Sequence, residues 1–355
     1  MPKIVGVSIA TPPYTITQED IKDFAQKIFN SDDHVRRLMP VFDNAMVETR
    51  YFSAPLEWFG EHHDFTDVND LYIKTALQLS EDAVLKLTAQ CEIETEDFDV
   101  IFFISTTGLS TPSIDARLFN RIKLNPHIKR IPIFGLGCAG GAAGLARAHD
   151  YLKAYPTHRA LIVAVELCGL AFQKDDFSKS NIVSTAIFGD GAAACLMVGD
   201  KVAMPDNLCA HPSTLGSFST IYPDTEEVMS WKITSEGFKV QLSKNIPTIV
   251  TSLVKENVSD FLRAHEIPME KISHFIMHPG GMKVLQAYSE GLNIPMNKLK
   301  HSVDVLRDYG NMSSTTVYFV LQRFLESTRD QSGEYGLLGS LGPGFSSELL
   351  LMKWD

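Results

Sequence analysis

One glycine-rich stretch, residues 130–147, limits what this chain can fold into more than any other. It opens as a short apolar strand, breaks at Gly135 and Gly137, and continues as a helix built mostly of glycine and alanine. Glycine costs roughly 1 kcal/mol relative to alanine inside a helix, so several glycines in one helix need a structural reason. Close approach of another backbone is such a reason. We therefore predict a buried central helix between two sheets.

Cys138 occupies the break between the predicted strand and this helix. A thiol in the first turn of a helix faces unpaired backbone N–H groups and the positive end of the helix dipole, and both favour the thiolate. We therefore expect a lowered pKa for Cys138 and a nucleophilic role. The adjacent glycines leave space for a substrate carbonyl and for donors to its oxyanion. A buried structural cysteine is the alternative interpretation.

The composition restricts the class of protein. The 355 residues are 45% hydrophobic and 21% charged, with a net charge of −11, which indicates a large core and argues against binding to nucleic acid. No window is apolar for long enough to span a membrane, and the first residues predict a strand and not a signal peptide. The cysteines have no metal-ligand spacing, and their odd number indicates free thiols and a cytoplasmic location; they are Cys91, Cys138, Cys168, Cys195 and Cys209.

Two similar units organise the chain. Continuous apolar runs at 98–105 and 272–277 predict strands covered on both faces, and a reactive-looking loop follows each one. Composition loosens between residues 201 and 219, so we expect two halves, 1–204 and 205–355. Periodicity predicts helices over 18–29 and 33–42, and the final strands, 335–341 and 347–352, are expected to pair. Asp190 and Gly191 predict a turn inside an apolar run.

Three polar residues lie in glycine-marked loops that follow apolar segments: Cys138, His278 and Asn311. Cysteine and histidine supply a nucleophile and its base or counter-ion. An asparagine N–H suits a developing oxyanion. Taken singly, His278 is equally well a core histidine and Asn311 a helix cap. Thr107 and Thr111 follow a buried strand and are candidate pocket residues, with helix capping as the alternative.

At these residues the chain resembles type III polyketide synthases, the chalcone-synthase-like branch of the thiolase-fold condensing enzymes. The resemblance covers essentially the whole chain and rests on five segments in order: GLGCAGGAAGLARA, IFGDGAAA, HPGG, YGNMSS and LGPGFSSE. It implies an α/β, five-layered αβαβα thiolase-like fold made of two duplicated halves, and a homodimer. It also implies acyl-CoA and malonyl-CoA as substrates, with no cofactor and no metal.

The resemblance also implies roles for individual residues. Cys138 would accept an acyl group, and His278 would stabilise its thiolate as an imidazolium. His278 and Asn311 would hold the thioester oxygen of malonyl-CoA while it loses carbon dioxide, and the enolate would attack the acyl-cysteine. The implied substrate-binding residues are Phe188 (a gatekeeper), Arg37, Thr107, Thr111, Cys168, Val240, Gly280, Gly281, Ser313, and the cyclisation loop Gly342, Pro343 and Gly344.

Several positions depart from the plant pattern. Aligned with the plant members, Val240 stands where they carry a gating phenylalanine, and Ala171 stands where they carry a threonine. Trp231 stands near the position of one of their small pocket residues. Asn44 replaces a lysine of the CoA-phosphate region, which leaves fewer expected cationic contacts. At these positions the chain resembles bacterial members of the family, which take long fatty acyl starters and make alkylpyrones or alkylresorcinols.

Three other readings remain open from the sequence. An initiating ketoacyl-carrier-protein synthase uses the same residue types, but the Gly-Pro-Gly ending argues against it. A papain-like cysteine hydrolase has its residues in the same order, although Ala139-Gly140-Gly141 does not match its local signature. A catalytically silent protein of this fold is the third, and the intact triad argues against it.

Overall fold

The computed structural model describes residues 1–29, 33–203, 211–327 and 332–354. Cys209 and the predicted boundary at 204/205 lie outside these ranges. The strands are β1 Lys3–Ala10, β2 Tyr14–Thr17, β3 Thr49–Phe52, β4 Val100–Ile104, β5 Lys129–Ile133, β6 Arg159–Leu167, β7 Asp190–Val198, β8 Ser213–Ile221, β9 Met229–Thr234, β10 Gly237–Leu242, β11 Ile272–Met277, β12 Tyr335–Gly342 and β13 Ser346–Lys353. The helices are α1 Gln18–Ile28, α2 Asp33–Leu38, α3 Pro40–Asn44, α4 Leu56–Gly60, α5 Phe65–Cys91, α6 Ile114–Ile122, α7 Gly140–Ala154, α8 Lys179–Ile187, α9 Ile246–Ala264, α10 Met282–Leu292, α11 Lys300–Tyr309 and α12 Thr316–Ser327.

Nine strands hydrogen-bond in the order β11-β12-β13-β8-β1-β7-β6-β4-β5. The pairing between β1 and β8 consists of one register pair, Lys3 with Ser213, so two half-sheets meet there. In each half a parallel pair is followed by an antiparallel strand: β4 with β6 and then β7, and β11 with β12 and then β13. The strands predicted from the two similar runs, β4 and β11, hold corresponding places in the two half-sheets.

Side chains on the strands alternate between two cores, as the two-residue period of a strand requires. In β4, Phe102 packs in an inner core together with α7 and α12, and Phe103 packs in the outer core. In β13, Leu350 and Leu351 divide in the same way. Helix α5 contacts β1, β6 and β7, and α9 stacks Phe261 on Phe218 of β8. The layers are therefore αβαβα, which confirms the predicted fold class.

The small residues of α7 are explained by its neighbours. A Cβ atom on Gly141 would come within 2.2 Å of the Ser314 carbonyl oxygen, and one on Gly144 within 2.7 Å of Ile104 Cδ1. Tyr318 of α12 donates a hydrogen bond to the Gly141 carbonyl over 2.8 Å. The backbone of α7 thus meets the turn that begins α12 between the half-sheets, and the prediction of a buried central helix is confirmed.

Two local predictions are wrong, for identifiable reasons. The helix expected over 33–42 is two helices, because Pro40 starts a new one and cannot continue the first. Asp190 begins strand β7 instead of forming a turn. Its buried carboxylate accepts hydrogen bonds from the backbone N–H groups of Ser53, at 2.8 Å, and Gly169, at 2.7 Å, so a short polar side chain is accommodated inside the apolar run.

Within the described ranges, the search for helices that combine enough length with enough apolar character to cross a bilayer finds none.

Candidate active site

The turn that carries Cys138 is fixed from both sides. Cys138 lies in a single 3₁₀ turn, Gly137–Ala139, directly before α7. Gly137 has a φ of +47°, and a Cβ atom there would come 2.7 Å from Pro343 Cδ, so glycine is required at this position. Its N–H donates to Thr106 Oγ1 over 3.2 Å. The thiol is therefore held at the amino end of the central helix.

His278 and Asn311 come from the second half of the chain. His278 immediately follows β11, and neither of its ring nitrogens has a hydrogen-bond partner among the residues that the structure describes. Asn311 Oδ1 accepts from the Ser313 N–H at 2.8 Å, and Asn311 Nδ2 donates to the Gly280 carbonyl at 3.1 Å. These bonds orient the amide, and the second Nδ2 hydrogen bonds to Cys138 in the resting site.

A cavity of about 680 Å³ brings the three residues together, well within the range of small-molecule sites. Several residues named from the sequence form its wall: Arg37, Cys138, Phe188, Val240, His278, Gly280, Gly281, Asn311, Ser313 and Pro343. Trp231 and Asn44, noted above as departures, also line it. Much of the remaining wall is apolar, with Leu38, Val41, Val183, Ile187, Met229, Leu242, Ile246, Met282, Leu341 and Phe345.

Burial controls the ionisation of the cysteine and histidine. It raises the pKa of Cys138 to about 11, against hydrogen bonds to Ser313 and Asn311 that lower it. Burial lowers the pKa of His278 to about 3. The expectation that the helix terminus makes Cys138 a thiolate is therefore wrong, because desolvation raises the pKa of the thiol by more than the helix dipole lowers it. At rest the pair is a thiol and a neutral imidazole, so ionisation requires a proton acceptor.

A buried carboxylate, Glu166, lies beneath this site. Its Oε2 accepts from the N–H of Thr106 and from the N–H and hydroxyl of Thr107, and its Oε1 accepts from the Ser314 hydroxyl at 2.6 Å. Burial raises its pKa to about 7, although these bonds oppose the rise. Glu166 ties the loop after β4 to the start of α12. Sequence reasoning missed Glu166, although a lone carboxylate in the apolar run that forms β6 could have indicated it.

Four exposed cations mark the opening of the cavity: Arg37, Lys179, Lys244 and Lys283. None of them forms an ion pair with a residue in the described part of the chain. They come from α2, the start of α8, the loop before α9 and the start of α10. The opening is thus a local positive patch on a protein of net charge −11, suited to a phosphorylated ligand. Only Arg37 was named from the sequence.

Some of the predicted pocket residues do not line this cavity, which corrects their placement. Thr107 is buried, and its hydroxyl donates to Glu166 at 2.8 Å while accepting from the Leu167 N–H at 2.9 Å. Thr111 is exposed on the loop before α6. Cys168 borders a separate cavity of about 30 Å³, and Phe188 forms part of the wall of both cavities.

The two glycines of the 342–344 loop also lie outside the wall. A Cβ atom on Gly342 would come 2.5 Å from the Leu136 carbonyl oxygen, so this glycine lets the loop pack against the turn that carries Cys138. Gly344 has a φ of +108° and forms the reversal between β12 and β13. Both glycines shape the site through the backbone, and Pro343 alone of the three lines the cavity.

The fold and this convergence of a thiol, an imidazole and a carboxamide define a condensing enzyme of the thiolase type. The chain matches the chalcone and stilbene synthases, their N-terminal domain over residues 2–201 and their C-terminal domain over residues 215–354. It therefore belongs to the chalcone and stilbene synthase family, the type III polyketide synthases, and is an acyltransferase.

The relatives that the chain resembles match it over nearly its whole length. A putative chalcone synthase of Bacillus subtilis is 43% identical, covering 99% of this chain and 98% of the relative. A 1,3,6,8-tetrahydroxynaphthalene synthase of Streptomyces peucetius is 35% identical over 99% and 93%. The crystal structure of the Streptomyces coelicolor 1,3,6,8-tetrahydroxynaphthalene synthase, a bacterial type III polyketide synthase, superimposes with a TM-score of 0.93 at 29% identity, covering 99% of both chains.

Proposed function

We propose that this enzyme condenses malonyl-CoA repeatedly onto a long-chain fatty acyl-CoA starter and releases alkylpyrone or alkylresorcinol products. The observation that carries the proposal is the largely apolar cavity that joins Cys138, His278 and Asn311 to an opening lined with cations that form no ion pair among the described residues. Each step below assigns a role to residues of this cavity.

In the loading step, Cys138 is the nucleophile. Its thiol is neutral at rest because burial raises its pKa to about 11. His278 is also neutral, and its ring makes no hydrogen bond within the described ranges, so it can accept the thiol proton as sulfur attacks the starter thioester. The new C–S bond to Cys138 forms, the bond to CoA breaks, and the proton passes from His278 to the departing CoA thiolate.

In the condensing step, His278 and Asn311 bind the thioester oxygen of malonyl-CoA. The bond between the malonyl methylene carbon and the terminal carboxylate breaks, and carbon dioxide leaves. Negative charge then develops on the thioester oxygen. Once Cys138 is acylated, the Nδ2 hydrogen of Asn311 that bonded to its sulfur turns to the thioester oxygen, and with a ring N–H of His278 it stabilises the charge inside a buried site. The enolate carbon then attacks the acyl carbon on Cys138, the C–S bond breaks, and a lengthened β-keto thioester of CoA results.

The cationic opening is the proposed site for the CoA phosphates. Arg37, Lys179, Lys244 and Lys283 are exposed and lack ion-pair partners among the described residues. A phosphate placed there leaves the pantetheine arm pointing inward to the triad. Lys179, Lys244 and Lys283 supply the positive charge that Asn44 does not.

The apolar wall supports a fatty starter. A tail of about fourteen methylenes gains on the order of 11 kcal/mol when fully buried, before the costs of ordering and association are subtracted. The residues that border the cavity include Val183, Met229 and Val240. The small cavity next to Cys168 is also apolar and lies on the other side of Phe188, so rotation of that ring would lengthen the space available to the tail.

The decisive experiment compares starters. Labelled malonyl-CoA is incubated with the enzyme alone, with palmitoyl-CoA and with coumaroyl-CoA, and products are identified by mass spectrometry. We expect alkylpyrones or alkylresorcinols from palmitoyl-CoA. A product from coumaroyl-CoA only, or only an aromatic product without an alkyl chain, as in the tetrahydroxynaphthalene made by the named relatives, would overturn the starter assignment.

Two variants separate the assigned roles. Cys138→Ala should abolish condensation. Cys138→Gln should mimic the malonyl-loaded state and release carbon dioxide from malonyl-CoA without condensation. Loss of that decarboxylation in Cys138→Gln/Asn311→Ala is expected if Asn311 holds the thioester oxygen, and an unchanged rate would contradict that role.

A homodimer and a cytoplasmic location complete the proposal. Strand β5 is a largely exposed edge of the sheet, and the nearby Leu109 and Phe134 are exposed apolar side chains, which favours coverage by a second copy of this chain. The four cysteines in the described ranges are free thiols, in keeping with a reducing compartment. Light scattering should give a dimer mass that Phe134→Asp lowers; a monomeric wild type would contradict this.

A further inference from the structure

A tyrosine that the proposed mechanism does not use forms part of the cavity wall. Tyr288 lies on α10, and its side chain is 1% exposed. It lines the same cavity as Cys138 and His278, next to Leu341 and Phe345. Its hydroxyl makes no hydrogen bond to any residue that the structure describes. A buried phenol normally satisfies its hydroxyl, so this one is available to a ligand.

The surroundings of Tyr288 keep its hydroxyl protonated. Burial raises its pKa above the usual value, and the proximity of Cys138 and Tyr222 raises it further. The phenol is therefore a neutral O–H donor at every pH at which the enzyme works. It offers this donor within an otherwise apolar region of the wall, which is how ligand sites orient a bound molecule.

Other unpartnered polar atoms lie behind the Tyr288 ring. In the part of the chain that the structure describes, Asn257 Nδ2 and the Ser340 hydroxyl are buried without hydrogen-bond partners, and both residues border a narrow cleft with Tyr288. The buried Tyr222 hydroxyl likewise has no partner there. Native proteins rarely leave such groups together in an apolar core without a function. Tyr288 is the member of this group that also lines the active-site cavity, so its hydroxyl is the one that a bound chain can reach.

We propose that Tyr288 is a specificity-determining residue whose hydroxyl donates a hydrogen bond to a keto oxygen of the growing polyketide chain, and so favours further extension over early release. A poly-β-keto chain carries an oxygen on every second carbon, and an apolar wall gives those oxygens no partner. Tyr288 supplies one on the wall of the cavity that also holds Cys138.

Early release is the competing reaction. The enol oxygen at C5 of a triketide attacks the C1 thioester carbonyl, the C–S bond breaks, the enol proton goes to the leaving thiolate, and a triketide pyrone forms. An oxygen that accepts a hydrogen bond from Tyr288 is held away from C1 and is a poorer nucleophile. The chain then stays on the enzyme for another condensation.

The test is Tyr288→Phe, which removes only the hydroxyl. With palmitoyl-CoA and malonyl-CoA, the ratio of longer products to triketide pyrone should fall about fivefold, as expected for loss of one neutral hydrogen bond. Melting temperature should not change, because no internal hydrogen bond is lost. Malonyl-CoA decarboxylation by Cys138→Gln should be the same with and without Tyr288→Phe. Tyr335→Phe, a hydroxyl outside the cavity wall, is the matched control.

The role of Tyr288 rests on the polyketide synthase function proposed above. The experiment therefore distinguishes a failure of that function from a failure of the Tyr288 role alone. A wild-type enzyme that forms no ketide from palmitoyl-, acetyl- or malonyl-CoA contradicts the proposed function itself. A wild-type enzyme that forms only triketide pyrone, or a product ratio that Tyr288→Phe leaves unchanged, overturns the role of Tyr288 alone. An equal loss of all products with a lower melting temperature also overturns it, since that indicates a structural role.

Discussion

Replacing His278 by glutamine should reveal how much the cysteine depends on it. Burial raises the pKa of Cys138 to about 11, even with hydrogen bonds from Ser313 and Asn311 that lower it. At pH 7 this leaves roughly one thiol in ten thousand ionised, a cost of about 5 kcal/mol. A positioned general base contributes about 10²–10⁴-fold in rate. His278→Gln should therefore slow alkylation of Cys138 by iodoacetamide at least about a hundredfold at pH 7.

The pH profile gives the more specific result. In His278→Gln the alkylation rate should rise about tenfold per pH unit from pH 7 to 10, because only the free thiolate reacts and its raised pKa lies above that range. In the wild type His278 accepts the proton, so the profile should be much flatter. Peptide mass spectrometry confines the measurement to Cys138 and excludes the other thiols.

A matched variant tests whether the slower alkylation of Cys138 is specific to the loss of His278. His301→Gln changes a half-buried histidine that does not line the cavity, and it should leave the rate unchanged. If His278→Gln and the wild type give the same profile, the proton of Cys138 goes elsewhere, and the assignment of His278 as its acceptor is refuted.

Three further predictions follow from packing and charge. Gly141→Ala should destabilise the fold by about 1–3 kcal/mol, seen as a lower melting temperature, because its Cβ would come within 2.2 Å of the Ser314 carbonyl oxygen. Lys244→Glu with Lys283→Glu should raise KM for acyl-CoA by up to about tenfold with little change in kcat. Glu166→Gln should gain stability relative to the wild type as pH rises from about 4.5 to about 7, because the raised pKa of Glu166 makes the wild-type fold lose stability over that range.

Each of these has a control and a contradicting result. Gly60→Ala, whose Cβ would meet Phe24 at an ordinary 3.6 Å, should melt like the wild type; equal losses in both glycine variants would contradict the packing argument. Lys255→Glu with Lys271→Glu changes the net charge equally at a distance from the cavity opening, and an equal rise in KM would remove the specific role of the opening. Parallel melting curves against pH for Glu166→Gln and wild type would mean that Glu166 does not titrate as described.

Much of the fold could be predicted because it depends on local pattern. The apolar runs that became β4 and β11, and the glycines and alanines of α7, each carry their own signal. Cys138, His278 and Asn311 were found for a related reason: each follows an apolar segment at a glycine-marked loop, and the two-half topology brings such loops to one place.

The rest of the site depends on contacts between distant segments. Lys179, Lys244 and Lys283 are ordinary surface lysines in sequence and become a patch only when three separate segments meet at the cavity. In the sequence pattern, Tyr288 is indistinguishable from an ordinary apolar position of a helix. The raised pKa of Cys138 was not anticipated because a local helix terminus is visible in sequence, whereas the degree of burial is not.

The central claim is that Cys138 carries the growing chain, and intact-protein mass spectrometry tests it most directly. After brief incubation with palmitoyl-CoA, the wild type should gain the mass of one palmitoyl group, and peptide mapping should place it on Cys138. Cys168→Ser should load equally, and Cys138→Ser should not load. An adduct on any other residue, or undiminished loading of Cys138→Ser, would contradict the account.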